Sequence, residues 1–252
     1  FMTVQEFQKS LAENIAKDSR YEGIELDFNF DIDTDTDIEI ILNRETGHAM
    51  KGKGYGSMQM NINTPGKFEM YGDFQVQEGE YNFKYGGVID KKFNVEKGGT
   101  IRWDGQPMNA VLDLKATYKT MANPAVLVES ASFNRKVDTN VTILLNGNLS
   151  NPQPYFNIDF PTVSSVLKSE IDYKLQDKDS RQTQAFALLA TGSFVTAEST
   201  GNAAYGSLIE GASSIINGLF ADSDSNLQLG LDYSQGNRLT EISDRVCLTM
   251  NT

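Results

Sequence analysis

The residues of this chain that could bind a metal ion form one motif, an aspartate at every second position: Asp31, Asp33, Asp35 and Asp37. A calcium-binding loop needs a glycine-assisted turn and a later glutamate, so that its oxygens converge on the ion. In a strand, by contrast, alternate side chains lie along one face, about 7 Å apart. The motif contains no glycine, so we interpret it as the solvated face of a strand or as a turn. A calcium loop is the less favoured alternative.

A second motif places glycines at every second position, at Gly52, Gly54 and Gly56. Glycine-rich loops that hold phosphate groups follow a strand and open a helix, and no helical pattern follows here. Glycine inside a strand instead permits a bend or the close approach of a neighbouring backbone. We therefore predict that these glycines shape a sheet.

Histidine and cysteine, two side chains that commonly perform catalysis, are scarce in this chain. The chain has one histidine, His48, and one cysteine, Cys247, which excludes an intrachain disulfide, a cysteine-based metal cluster and a histidine-rich metal site. The sequence also lacks the motifs of serine hydrolases, zinc proteases and P-loop NTPases. We expect a protein that is not an enzyme, has no catalytic residues and holds neither metal nor cofactor.

The overall composition is that of a folded, acidic protein. Of 252 residues, 39% are apolar and 10% aromatic, enough for the core of one large β domain or two small domains. The net charge of −12 argues against general nucleic-acid binding, which requires a positive surface. No apolar run approaches the roughly 18 residues of a membrane-spanning helix. The first residues lack a signal-peptide pattern, and the last strand stops without a turn, so we expect a fragment of a longer protein.

The elements that must position any site are strands, and residues 98–120 give the clearest pattern. Ile101 and Trp103 share one face of a first strand, and Asp104–Pro107 forms the turn, because glycine tolerates positive φ and proline cannot join a ladder. Apolar residues at every second position then define one face of a second strand: Ala110, Leu112, Leu114, Ala116 and Tyr118. Period-2 alternation predicts a sheet with one apolar and one polar face.

The same alternation recurs from residue 21 to residue 160, including an uninterrupted stretch from Gly23 to Leu42. We predict turns at residues 64–66, at residues 77–79 and at Asn146–Gly147, the last a primed hairpin turn. Regular strands with short turns and no intervening helix indicate an all-β sheet, sandwich or barrel.

Helical patterns lie at the beginning and in the last third of the chain. Residues 3–18 begin with a capping box and carry an apolar stripe, which favours a packing helix over a recognition helix. Residues 163–175, 184–195 and 205–220 also have helical spacing, and the second of these is apolar on nearly all sides. Strand patterns return from residue 227 to the end.

Several of these stretches together resemble the C-terminal domain of the TamB family, part of the AsmA-like group of bacterial envelope proteins. The most specific is Gly98-Gly-Thr-Ile-x-Trp-x-Gly-x-Pro107 within residues 91–107. The others are residues 21–28 (YEGIELDF), 66–74 (GKFEMYGDF), 78–83 (EGEYNF) and 112–118 (LDLKATY). The resemblance covers about residues 21–252 and does not include the first helix.

The resemblance implies a mainly β fold, an elongated, curved antiparallel sheet that forms an open, taco-like hydrophobic groove with a few helices. We expect an N-terminal helix at residues 3–20, a β-groove domain at 21–161, a helical segment at 162–222 packed on or plugging the groove, and returning strands at 223–252. Alternation alone leaves open whether the apolar face is an ordinary core or a ligand-binding surface.

The resemblance also implies a location and partners. We expect a periplasmic segment of a protein anchored in the inner membrane of a Gram-negative bacterium. Its partners would be phospholipid acyl chains, an Omp85-type outer-membrane barrel protein similar to TamA, and outer-membrane protein clients. One hypothesis is a conduit for phospholipids between the membranes, and the other is a chaperone or scaffold that pairs its strand edges with client strands.

For the conduit hypothesis we predict the side chains that line the groove. Aromatic and methionine side chains adapt to acyl chains, although they suit a protein core equally well. The predicted lining residues are Phe28, Phe30, Met60, Phe74, Phe83, Trp103, Leu112 and Leu114.

Overall fold

The computed structural model describes residue 23 and residues 25–43, 48–63, 67–85, 88–128, 133–149, 153–196, 228–234 and 245–251. The predicted N-terminal helix and the helical pattern at residues 205–220 lie outside the described residues. Within the described ranges the protein is mainly β, as predicted, with one large sheet and a few helices.

The sheet contains eleven strands. They are β1 (Glu25–Ile32), β2 (Asp37–Asn43), β3 (His48–Asn63), β4 (Phe68–Tyr85), β5 (Ile89–Val95), β6 (Thr100–Gly105), β7 (Val111–Ala122), β8 (Val137–Asn148), β9 (Gln153–Asp159), β10 (Gln228–Ser234) and β11 (Arg245–Asn251). The helices are α1 (Ala125–Val128), α2 (Ser165–Lys174) and α3 (Lys178–Thr191), with a 3₁₀ turn at Pro107–Asn109.

The strand order is β10-β11-β2-β3-β4-β5-β7-β8-β9. Strand β1 pairs with the second half of β3, and β6 lies between β4 and β7 beside β5. All pairs are antiparallel except β11 with β2, which is parallel. Among the described strands, β9 pairs with β8 alone and β10 with β11 alone, so the sheet is open at both sides.

A turn at residues 33–36 divides the first alternating stretch into β1 and β2. Of the two interpretations of the aspartate motif, the turn therefore applies to Asp33 and Asp35, and the strand face to Asp31 and Asp37. A side-chain oxygen of Asp33 accepts hydrogen bonds from the backbone N–H of Asp35 and the hydroxyl of Thr36, at 3.0 and 3.1 Å. Aspartate favours such turns because its short side chain satisfies nearby backbone donors. Strand β3 continues past the break and pairs with both segments.

The predicted turn at residues 77–79 is wrong, because β4 runs through it as a single strand. Lys53 pairs with Glu78 and Gly54 with Val76, so Gln77 is an extra residue in β4, a β-bulge. The bulge shifts the alternation by one residue. Phe74 and Val76 before it, and Tyr81 and Phe83 after it, are consequently all buried.

The predicted hairpin turn at Asn146–Gly147 is also wrong. Strand β8 includes both residues, and they pair with Asp113 and Leu112 of β7. Gly147 has a φ of 96°, a positive value that glycine adopts readily and that the predicted hairpin turn would also require. Long-range pairing with β7 overrides this local preference.

Helices α2 and α3 follow β9, close to the stretches predicted from helical spacing. Ser164 and Asp177 cap their first turns, and α3 ends at Gly192, whose φ is 73°. Lys168 of α2 donates a hydrogen bond to the carboxylate of Asp159, which raises the pKa of Lys168 and joins the helix to β9.

Candidate functional site

One face of the sheet is apolar from β1 to β9, and we call it the apolar face. The pairing register shows its continuity: Phe28 lies opposite Met60, which lies opposite Met70. A second row crosses six strands through Ile32, Gly56, Phe74, Ile101, Leu112 and Gly147. Because side chains alternate between faces, every residue of such a row projects to the same side.

All eight predicted lining residues lie on the apolar face. Six of them are buried, with exposed fractions of 5% or less: Met60, Phe74, Phe83, Trp103, Leu112 and Leu114. Phe30 is partly buried, whereas Phe28 is 40% exposed. Their use by a ligand stays a prediction.

The alternating glycines also lie on the apolar face, at the centre of β3. A Cβ atom on Gly54 would come within 2.3 Å of the Phe74 ring and 2.2 Å of the Gln75 carbonyl oxygen. The ring of Phe74 therefore lies directly against the β3 backbone. This close approach accounts for the glycine motif, as the strand interpretation predicted.

Beside these glycines the apolar face has a small depression with a volume of about 30 Å³. Apolar side chains from several strands line it, among them Ile38, Met50, Val76, Val95 and Leu114. Gly52 and Gly79 also line this depression.

Helix α3 covers the apolar face on the second half of β4, on β5 and on β9, and we call this part the covered section. Phe186 of α3 lies 5.0 Å from Phe156 and 6.2 Å from Phe83, measured between ring centroids. Phe83 also makes an edge contact with Phe93, at 6.0 Å. Such tilted and edge-on arrangements are the favourable geometry of packed aromatic rings. The sequence predicted that this helix is buried but not which rings it meets.

A second part of the apolar face differs from the covered section, and we call it the N-terminal section. It lies on β1, on β6, on the second half of β3 and on the first half of β4. Phe28 and Phe30 stack on each other at 6.1 Å, and Phe28 is substantially exposed. Methionines 58, 60 and 70 lie beside them across the strands. Met60 and Met70 are buried, so the accessible part of this section is the ring of Phe28, which can contact an apolar partner.

The opposite face of the sheet is polar, and it forms a wide hollow over β5, β7, β8 and β9. Thr117 donates to the carboxylate of Glu96 at 2.8 Å, and Lys115 lies 3.0 Å from the same carboxylate. Burial opposes ionisation of Glu96, but these hydrogen bonds outweigh it and lower the pKa of Glu96. Thr142 shares a hydrogen bond with Thr117 at 3.1 Å. Sequence analysis did not single out this cluster, although Thr117 between two lysines was its visible signal.

The aspartate motif has individual partners in place of a shared ion. Asp31 accepts a hydrogen bond from Ser57 at 2.9 Å, Asp33 forms the turn, and Asp37 lies 3.8 Å from Lys53. Within the described ranges no group of acidic, histidine or cysteine side chains is arranged to hold a metal ion. In that same part of the chain, no helix has the length and apolar character needed to cross a membrane.

Comparison with known proteins identifies one family. The family model of the TamB C-terminal domain matches residues 3–249, which is nearly the whole chain. No curated protein matches the sequence significantly.

Proposed function

Because this chain belongs to the TamB C-terminal domain family and is thus part of a TamB-like envelope protein, we propose that its apolar face forms a groove for phospholipid acyl chains. In this proposal the groove carries lipid between the inner and outer membranes and supports outer-membrane protein assembly with an Omp85-type partner. The segment lies in the periplasm, and the full protein is anchored in the inner membrane. The role requires no chemical step and no cofactor.

The observation that carries the proposal is the extent of the apolar face. It continues across the sheet from β1 to β9, yet the sheet is open at both sides and the described helices cover mainly β5 and β9. Burying each CH₂ group of an acyl chain contributes about 0.8 kcal/mol, so a long apolar path binds a lipid without specific polar contacts. The N-terminal section, with Phe28 partly exposed, is the most accessible part of that path.

The test introduces charge where the face is accessible. We expect Phe28→Arg combined with Phe30→Arg to reduce co-purified phospholipid at least severalfold. An acyl chain bound on the apolar face would have to bury the guanidinium groups, and burying an unpaired charge is costly. Lipid is measured by native mass spectrometry and by extraction of the same sample. Arginine at the deeply buried Phe83 or Leu112 is unsuitable, because it would unfold the sheet.

The matched control is Tyr55→Arg. Tyr55 is also an aromatic residue of the same sheet, with 45% exposure, but it lies on the opposite face. Lipid content should remain at the wild-type level in this variant. Equal lipid content in the control and in the double variant would refute the groove.

The open edges of the sheet favour a second candidate function, a scaffold that binds client strands or its outer-membrane partner by β-augmentation. The outer edge of β9 has no partner strand among the described residues, and an unpaired edge can accept another strand. We expect Asn157→Pro to reduce partner binding in a pull-down while lipid content persists, with Asn157→Ala as the control. Unchanged partner binding by a folded proline variant would count against the scaffold.

A further inference from the structure

We infer that the indole N–H of Trp103 is a hydrogen-bond donor for an ester carbonyl of the bound phospholipid. This inference rests on the proposed groove and adds a specific contact to it. The lipid would thereby be held at a defined depth, with its glycerol ester region beside Trp103 and its chains along the apolar face.

The indole is buried but its N–H has no partner. Trp103 is 5% exposed, and its Nε1 atom is fully shielded from solvent without a hydrogen-bond acceptor in reach. Buried donors are nearly always paired, because an unsatisfied one costs about 1–3 kcal/mol. A donor of this kind on the apolar face indicates an acceptor that comes from outside the chain.

The neighbours of Trp103 in the sheet provide no side-chain acceptor. Its partner across β4 is Gly72, which has no side chain, and its neighbours along β6 on the same face are Ile101 and Gly105. The residues two positions from Gly72 on the same face, Met70 and Phe74, are apolar. The side chains that flank the indole on β4 and β6 are therefore apolar, and none of them is an acceptor for its N–H.

The chemistry of these neighbours selects the ligand atom. A phosphate oxygen would need a cation to offset its desolvation, and none of the described neighbours of Trp103 on the apolar face of β4 and β6 is a cation. A neutral carbonyl adjoining a hydrocarbon chain requires no such charge. The ester group of a diacyl phospholipid has this chemistry, and the ether-linked analogue of the same lipid lacks the carbonyl.

The experiment compares ester-linked and ether-linked phospholipids with the same headgroup and chains. We expect the wild-type protein to bind the ester lipid about fivefold more tightly, the ratio that corresponds to one neutral hydrogen bond of about 1 kcal/mol. Trp103→Phe retains an aromatic ring but removes the donor, so this preference should disappear. The control Tyr55→Phe removes a donor from the opposite face and should keep the preference.

The outcomes separate this inference from the proposed function. Binding of both lipids with equal affinity by wild type and Trp103→Phe overturns the Trp103 contact and leaves the groove intact. Failure of the wild type to bind either lipid overturns the groove and the contact together. A loss of thermal stability in Trp103→Phe with an unchanged ester preference assigns the N–H to a buried water and also overturns the contact.

Fluorescence provides an independent measurement, because Trp103 is the only tryptophan in the chain. Brominated phospholipids quench indole emission at short range. Bromine placed near the ester end of the chain should quench Trp103 more strongly than bromine near the methyl end. Stronger quenching by the methyl-end label would contradict the proposed depth.

Discussion

The covered section and the N-terminal section belong to the same face of one sheet, but they are packed differently. In the covered section, Phe83, Phe156 and Phe186 form a closed aromatic cluster under α3. In the N-terminal section, Phe28 is 40% exposed, and Trp103 has an unpaired donor in apolar surroundings. The first arrangement buries its large rings completely, whereas the second includes a partly exposed ring and a buried indole N–H without an acceptor.

The two sections share one pattern of alternating apolar residues, but they serve different purposes. The covered section stabilises the fold, and the N-terminal section is suited to binding. Closed packing of large rings stabilises the fold and leaves little to gain from a ligand. A partly exposed ring and a buried N–H without an acceptor lower the stability of the free protein and favour a complementary ligand. We therefore place the fold's main stabilising cluster under α3 and the proposed lipid contact on β1, β3, β4 and β6.

The largest expected effect concerns the covered section. Phe186→Ala should lower the free energy of unfolding by about 3–5 kcal/mol, because it removes a buried ring and leaves a cavity between Phe83 and Phe156. Urea unfolding monitored by circular dichroism measures the change. Val166→Ala on α2, at a side chain that is 76% exposed, should change stability by less than about 0.5 kcal/mol. Similar losses in the two variants would show that α3 contributes no core.

A smaller effect is expected at Gly54, on the apolar face between the two sections. Gly54→Ala would place a Cβ atom against the Phe74 ring and the β4 backbone, and we expect a loss of about 1–3 kcal/mol from this overpacking. The comparison variant, Ser57→Ala, changes an exposed position on the polar face of β3 and should cost less. Both are measured by the same urea titration. A neutral Gly54→Ala would mean that β3 and Phe74 are not in close contact.

The smallest effect concerns the polar face behind the covered section. The pKa of Glu96 is lower in the folded protein, so its interactions stabilise the fold above its ordinary pKa of 4.5. This stabilisation is lost as the pH falls through the lowered value. At neutral pH, Glu96→Gln should cost less than about 1 kcal/mol, because the ion pair with Lys115 is partly solvated. The difference from wild type should vanish in acid, and a difference independent of pH would contradict the ionic origin.

The sequence was informative about faces and less so about where strands end. Period-2 alternation correctly placed Trp103, Leu112 and Leu114 on a common face. At the aspartate motif the pattern left a strand face and a turn open, and the Asp33 side chain forms the turn. The bulge at Gln77 was missed, because it is defined by the pairing of β4 with β3. At Gly147 a residue pair typical of hairpin turns lies inside a strand, since β7 provides the partner. The local conformational preference of a residue is overridden wherever a distant strand supplies its hydrogen bonds.

By itself the sequence determined a mainly β protein with one apolar face, the helices after β9 and the family, because alternation, caps and motifs are local properties of the chain. Only the tertiary structure decided that β11 pairs in parallel with β2, that Phe186 packs against Phe83, and that Trp103 of β6 pairs with Gly72 of β4. These contacts join residues distant in sequence. Their register depends on the packing of whole strands and helices, and no local pattern encodes it. The unpaired indole N–H arises in the same way, because a donor lacks an acceptor only relative to neighbours that folding brings around it.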